Sequence, residues 1–215
     1  MKKITQFSIV ALVLLFSIQA KAQKINLTAG YTSSTWSGVD TDDLFGEKQA
    51  LAGFHAGASI DITLNDNLTF QPGLLFTTKG VKFGLDSDSI TLELQYSFRY
   101  LCIPLNIKYS YEIDDDMSIF GTAGPYVGIG LTSKSKVTLE APLLGMDDTQ
   151  EMDLDWEGLN RLDFGLGFGA GVQYQAFSLG VYYDLGLTDV FGLTEGDDRI
   201  TNNALRISAG YTINF

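Results

Sequence analysis

The 215-residue chain carries 14 Lys and Arg against 26 Asp and Glu, a formal net charge of −12, with 45% hydrophobic residues and one cysteine. The acid excess argues against a nucleic-acid partner, because phosphate contacts need basic surface, and the lone Cys102 has no partner for an internal disulfide. Beyond the N-terminus no run approaches the ~18 apolar residues that a membrane-spanning helix requires. The apolar residues alternate instead with polar ones and with 23 glycines.

The chain opens on a targeting segment, 1–22. Lys2 and Lys3 precede an apolar run from Phe7 to Ile18, and Ala20-Lys21-Ala22 presents small residues at both positions that signal peptidase reads. Cleavage is predicted after Ala22, leaving one domain over 23–215. Loss of Lys2, Lys3 and Lys21 takes the formal charge from −12 to about −15. Cys102 is far from the cleavage point, so nothing marks a lipoprotein.

From Gln23 onward the pattern predicts eight strands, at about 24–33, 50–62, 67–79, 90–111, 117–132, 161–175, 177–190 and 203–215. Spanning strands of an outer-membrane barrel need only ~9–11 residues, and bacterial barrels have an even strand number. Over 50–62, Phe54, Ala56, Ala58, Ile60 and Ile62 alternate with Gly53, His55, Gly57, Ser59 and Asp61. The clearest strand is 161–175. Its one parity is Leu162, Phe164, Leu166, Phe168, Ala170, Val172 and Tyr174; the other is Arg161, Asp163, Gly165, Gly167, Gly169, Gly171 and Gln173. Successive side chains point to opposite faces of a strand, so one face is a continuous apolar band and the other is small or polar. The strand from Phe177 and the last strand, with Leu205, Ile207, Ala209, Tyr211, Ile213 and Phe215 against Arg206, Ser208, Gly210, Thr212 and Asn214, repeat the pattern.

Connections alternate in length. Short polar turns lie at Asn65-Asp66-Asn67, at Asp114-Asp115-Asp116 and around Ala176, where Asn and Asp tolerate left-handed backbone and bond their own main chain. The links near 34–49, 80–89, 133–160 and 191–202 are longer and acidic. Short periplasmic turns and longer outside loops are the habit of outer-membrane barrels, so both mature termini are expected in the periplasm. In 90–111 the apolar parity changes: Leu92, Leu94 and Tyr96 share one, Leu101, Ile103, Leu105, Ile107 and Tyr109 the other. The lower half is read as the membrane part and the upper half as an extension above it, with a bulge between. Pro104 removes a ladder donor and needs its own accommodation.

A soluble sandwich would bury the apolar face; a membrane barrel turns it out to lipid. Three features favour lipid: glycine concentrates on the polar parity, as a narrow curved interior requires; Tyr31, Tyr109, Tyr111, Tyr174, Phe177 and Phe215 lie near strand ends, as for an interfacial girdle; and the sequence runs to Phe215 within an alternating strand. The segment Leu205-Arg206-Ile207-Ser208-Ala209-Gly210-Tyr211-Thr212-Ile213-Asn214-Phe215 looks like the C-terminal signal, here Tyr211, Ile213 and Phe215, read by the barrel assembly machinery. Tyr100-Leu101-Cys102-Ile103-Pro104-Leu105 and Gly121-Thr122-Ala123-Gly124-Pro125-Tyr126 resemble recurring segments of the PorT-like, "porin family" eight-stranded outer-membrane β-barrel domain. The resemblance spans the mature chain and implies an all-β, antiparallel up-and-down transmembrane barrel. PorT itself belongs to a protein-secretion apparatus, and the family label does not establish a pore.

Candidate chemistry is sparse. Arg161, Asp163, Asp184, Arg206, Glu93, Lys108 and His55 are assigned to the lumen, where unpaired charge is costly and the groups are expected to pair with one another. His55, the only histidine, reads as a lumen residue bonded to its neighbours rather than a catalytic base, since the sequence gives no serine to place beside it. Acidic stretches at Asp40, Asp42 and Asp43, at Asp86 and Asp88, from Asp147 to Glu157, and at Glu195, Asp197 and Asp198 lack the spacing and central glycine of a calcium loop. They read as a negative outer surface that divalent ions bridge to lipopolysaccharide. Trp36 and Trp156 are loop anchors or loop-packing residues. No catalytic residue, cofactor or metal site is expected. The expected partners are outer-membrane lipid and lipopolysaccharide, the assembly machinery during biogenesis, and a surface or periplasmic protein. The expected role is a non-enzymatic structural or surface-interaction barrel with a side-chain-filled lumen; the alternatives are a narrow small-solute channel or a PorT-like component of a secretion or assembly apparatus.

Overall fold

The computed structural model describes residues 24–38, 47–87, 90–141, 146–191 and 199–214. The expected signal peptide, Phe215, the acids at 40, 42, 43, 88, 195, 197 and 198, and the side chains of Asp86 and Asp147 lie outside the described residues. Nine strands form: β1 (Lys24–Ser37), β2 (Glu47–Thr63), β3 (Leu68–Ser87), β4 (Ile90–Glu112), β5 (Met117–Ala141), β6 (Met146–Asp153), β7 (Leu162–Tyr174), β8 (Phe177–Gly186) and β9 (Thr201–Asn214). All pairings are antiparallel. The order β4-β3-β2-β1-β9-β8-β7-β5-β6 is joined by an additional β4–β5 pairing, so eight strands close into a ring.

The ninth strand corrects the expectation of one long loop over 133–160. β5 pairs with β7 along Met117–Ile129 and with β6 along Lys134–Ala141. The upper half of β5 therefore leaves the ring to build a hairpin with β6. Strands β1, β3 and β5 also run further toward the long connections than expected, and β8 stops earlier, at Gly186. We call that end of the barrel the loop end and the opposite one the turn end.

The turns form for local reasons. Asn65 Oδ1 accepts from the backbone amides of Asn67 and Leu68 at 3.0 and 2.8 Å. Asp114 Oδ1 does the same for Asp116 and Met117 at 2.9 and 2.7 Å. These are side-chain mimics of a backbone turn. Between β7 and β8 two residues suffice, with Gln175 in the left-handed region at φ 52°.

The apolar parity faces outward, as the alternation predicts. Phe164, Phe168, Leu179, Val181, Leu205 and Ile207 are exposed, as are Ile103, Ile107, Leu27 and Phe54. Tyr109, Tyr111, Tyr174, Phe177 and Tyr211 gather at the turn end, with Phe177 and Tyr211 rings 5.2 Å apart. Tyr31 sits deeper, in register with Phe54 and Ile207. Among the described residues no helix is long and apolar enough to cross a membrane; a barrel crosses with strands.

β4 resolves the change of parity. Its faces do not switch: Phe98, Tyr100, Cys102 and Lys108 are buried on one parity throughout, while Ile103, Leu105, Ile107 and Tyr109 are exposed on the other. Leu94 and Tyr96 continue the inner parity and pack against the buried core. What changes is the solvent. At the loop end the interior is oily: Trp36, Val81, Phe83, Phe98, Tyr100 and Val190 form a buried cluster. Trp36 stacks on Tyr96 at 5.4 Å and meets Phe191 edge-on at 5.4 Å. The bulge exists, but on β5, where the register slips between Arg99 and Tyr100 and one strand has a residue to spare.

Candidate functional site in the barrel interior

The inner parities of β3, β7, β8 and β9 meet at the middle of the barrel. Lys79, fully buried, donates from Nζ to Asp163 Oδ2 at 2.9 Å and to the Tyr126 hydroxyl at 3.0 Å. The same ammonium lies 3.9 Å from Asp184 Oδ2 and 4.2 Å from the centre of the Tyr126 ring. Arg206 grips Asp184 through both oxygens, Nε to Oδ2 at 3.0 Å and Nη2 to Oδ1 at 2.9 Å. Its guanidinium stands 5.0 Å from the Tyr182 ring centre. Two cations and two carboxylates thus form one chain, Asp163–Lys79–Asp184–Arg206. Bidentate pairing fixes geometry as well as charge, and buried charge is tolerated when every member is paired and hydrogen-bonded.

Next to it, His55 is held between two hydroxyls, Nδ1 to Thr32 Oγ1 at 3.0 Å and Nε2 to Ser208 Oγ at 2.7 Å. The expectation that no serine stands beside His55 is therefore corrected. Gly30 of β1 is in register with His55 on one side and Ser208 on the other. A side chain at 30 would collide with the imidazole, so the glycine lets two residues meet across an intervening strand. The far ring nitrogen meets a threonine hydroxyl, not a carboxylate, and His55 and Ser208 are buried away from the outer, apolar face.

The seven residues assigned to the lumen from the sequence divide. Asp163, Asp184, Arg206 and His55 lie together. Lys108 is buried too, but toward the turn end, donating to Gln173 Oε1 at 3.1 Å with its ammonium 4.8 Å from the Phe120 ring centre. Arg161 is exposed just before β7, its Nε donating to the Gly130 carbonyl at 2.8 Å. Glu93 takes the outward parity of β4 and pairs with Lys82, both half-buried. The reasons are positional: Arg161 lies above the point where β7 joins the ring, and the uninterrupted alternation of β4 turns residue 93 out.

Lys79 is the member of the four-residue chain that the sequence pattern does not single out. It falls where the third strand was expected to end, on a parity shared with Leu75, Thr77, Val81 and Phe83 that mixes polar and apolar. The usable signal was that spacing of two, continued past residue 79. Trp36 and Trp156, expected in loops, are plug residues; Trp156 packs 6.0 Å from Phe98 over Gly130, where any side chain would strike the indole.

A chamber lined by polar and apolar side chains alike, Asn26, Gln71 and Ser208 with Leu75 and Phe120, lies between Arg206 and Lys108. A wider bowl of about 360 Å³, rimmed by Asp114, Asp115 and Asp116, opens at the turn end. Toward the loop end the aromatic cluster fills the lumen. No group of three or more metal-ligating side chains occurs among the described residues.

The family model described as "Outer membrane protein beta-barrel domain" matches residues 19–192. No curated protein matches the sequence. Among solved structures, Neisserial surface protein A is 16% identical, with a TM-score of 0.47, covering 91% of this chain and 99% of its own. Ail, the attachment invasion locus protein of Yersinia pestis, solved with the heparin analogue sucrose octasulfate, is 16% identical, with a TM-score of 0.37, covering 89% and 99%. The outer membrane protein OprG from Pseudomonas aeruginosa is 12% identical, with a TM-score of 0.38, covering 90% and 97%.

Proposed function

Because the chain belongs to the outer membrane protein β-barrel domain family, we propose that it is a non-enzymatic surface barrel of a bacterial outer membrane, closed to solutes. The leader 1–22 is removed, both mature termini stand in the periplasm, and the loop end with its acidic β5–β6 hairpin faces outward. The observation that carries this reading is the double closure of the lumen. The chain Asp163–Lys79–Asp184–Arg206 ties four strands across the middle, and Trp36, Tyr96, Phe98 and Trp156 stopper the loop end. An eight-stranded interior is just wide enough for side chains to fill.

The orientation rests on the asymmetry of the connections. Turns of a few residues close one end, whereas β3, β4, β5 and β6 project beyond the ring at the other. The projecting sheet carries Asp148, Glu151 and Asp153, and the segment just after it Asp155, on exposed positions, a surface suited to divalent ions shared with lipopolysaccharide. Two measurements test the reading. Purified protein in planar bilayers is expected to give no steady conductance; a reproducible open level would replace the closed barrel with a small-solute channel. A cysteine placed at Asp155, with Cys102 changed to alanine, is expected to react with an impermeant maleimide on intact cells. Reaction only after the outer membrane is broken would reverse the orientation.

A further inference from the structure

We infer that the free edge of β6 is a docking site for an extended, basic segment of another protein, which joins the sheet as one more strand. β6 stands last in the strand order and pairs with β5 alone. Just past it, the amide of Leu154 donates to the Ser133 carbonyl at 2.8 Å, one step beyond the Lys134–Asp153 register. Facing pairs of an antiparallel ladder alternate between exchanging two hydrogen bonds and exchanging none. Met152 and Gln150 therefore bond back to Ser135 and Val137. Thr149, Glu151 and Asp153 send their N–H and C=O groups the other way, where no described residue pairs with them.

Charge selects the partner. Exposed edges are commonly blunted by proline, lysine or a bulge. β6, Met146–Asp153, contains neither proline nor lysine, and its register with β5 is unbroken. It carries acid instead. Over 134–153, Glu140, Asp147, Asp148, Glu151 and Asp153 stand against Lys134 and Lys136. Both lysines lie one strand in, in register with Asp153 and Glu151, whereas Asp147 and Asp148 are in register with Glu140 and Leu139. A second copy of β6 would set acid against acid, and like charges facing across strands repel. A strand bearing Lys or Arg gains from the same arrangement.

The two faces of the edge specify the pattern. Glu151 and Asp153 share the outer face of the hairpin with Lys134 and Lys136. On the other face Met152 is 54% exposed, and Leu139 and Leu92 of the same face are exposed as well. The segment that fits therefore alternates, with basic side chains toward Glu151 and Asp153 and apolar ones toward Met152. Strand addition draws affinity from main-chain bonds and specificity from alternate side chains. The pairing needs only the β5–β6 hairpin, so it holds whichever way the barrel sits in the membrane and whether or not the lumen conducts.

The probe is a capped peptide of alternating lysine and valine, eight residues long to match β6, added to the refolded chain in a non-ionic detergent. Amide hydrogen exchange followed by NMR is expected to slow at Thr149, Glu151 and Asp153 and to stay unchanged at Gln150 and Met152. Peptides with glutamate in place of lysine, or with the lysine amides N-methylated, are expected to bind roughly tenfold more weakly or worse, the scale of a lost hydrogen bond. Thr149→Pro removes a donor on the free side only, a place where an edge strand tolerates proline, and is expected to weaken binding to a similar extent. No slowing, slowing at all five amides alike, equal binding of either control peptide, or undiminished binding to folded Thr149→Pro would overturn the site. Should Thr149→Pro not refold, the exchange pattern of the unmodified protein decides.

Discussion

The two halves of the barrel obey opposite rules on the same strands. In the half near the turns, Ile103, Leu105 and Ile107 of β4 face out, and Lys108 and Asn106 face in. In the half near the loops, Leu94, Tyr96, Phe98 and Tyr100 face in, and Glu93 pairs with Lys82 on the outer face. Along β4 the pleat never changes step, and only the chemistry on each face does; β5 shifts by one residue at its bulge and keeps its buried side chains inward on both sides of it. The lower half is built for hydrocarbon outside and charge inside, the upper half for water outside and oil inside. A β-sheet fixes which residues share a face, and the surrounding solvent decides which face is apolar.

That contrast makes substitutions diagnostic. The largest effect is expected at the middle of the interior, where the two halves meet. Lys79→Met strands Asp163 in the lumen, and removal of one member of a buried ion network costs about 3–5 kcal/mol. Urea unfolding from lipid vesicles measures it, and adding Asp163→Leu is expected to return part of the loss. A Lys79→Met protein as stable as its parent would mean the four-residue chain is not holding the strands. In the upper interior, Trp36→Ala opens the aromatic plug and is expected to cost about 3–5 kcal/mol, near the lower end because Tyr96 and Phe191 can partly collapse. The same experiment reads it; a cost near zero would mean that the loop-end core is not a core.

The outer faces give a sharper pair. Phe168→Arg, in the middle of β7, puts a guanidinium into hydrocarbon and is expected to cost about 2–4 kcal/mol. Thr132→Arg, on the outer face of the upper half of β5, is expected to change stability by less than about 0.5 kcal/mol. Equal costs at the two sites would erase the boundary between the halves. The smallest effect belongs to the exposed hairpin. Lys134 bonds Glu151 across β5 and β6, and this hydrogen bond, with the charge attraction, holds the Glu151 carboxyl below and the Lys134 ammonium above their ordinary values. Because the folded carboxyl titrates lower, the contribution exists above the ordinary carboxylate range and disappears as the pH falls through the lowered value. A carbon-detected NMR titration is expected to find Glu151 depressed, and Lys134→Met to return it to normal; no difference would show the pair to be idle.

Legibility from sequence followed the same division. Where one face meets lipid and the other is glycine and charge, as along 162–174, the period of two left a single reading. Inner glycines there leave room for the rings of Tyr126, Tyr182 and Phe120 to lie across β7. In the upper half that signal fails, because apolar residues on one parity look alike whether lipid or a core covers them. Hence the pattern does not distinguish β6 or the plug from loop, nor the outward Glu93 from a lumen residue, nor Trp36 in β1 from a loop residue. Pairing across strands is also silent in a one-dimensional pattern. His55 and Ser208 are 153 positions apart in the chain, and only Gly30 between them makes the contact possible. Lys79 hid at an underestimated strand end.

The central claim is that Leu162, Phe164, Leu166, Phe168, Ala170, Val172 and Tyr174 face lipid tails. It is tested most directly by nitroxide labels placed singly at 162–174, in a Cys102→Ala background, in protein reconstituted into phospholipid bilayers. Oxygen accessibility is expected to oscillate with period two, high at even positions and low at odd ones from Asp163 to Gln173. Low oxygen accessibility and immobile spectra at the even positions would put those side chains in a protein interior and contradict the barrel as described.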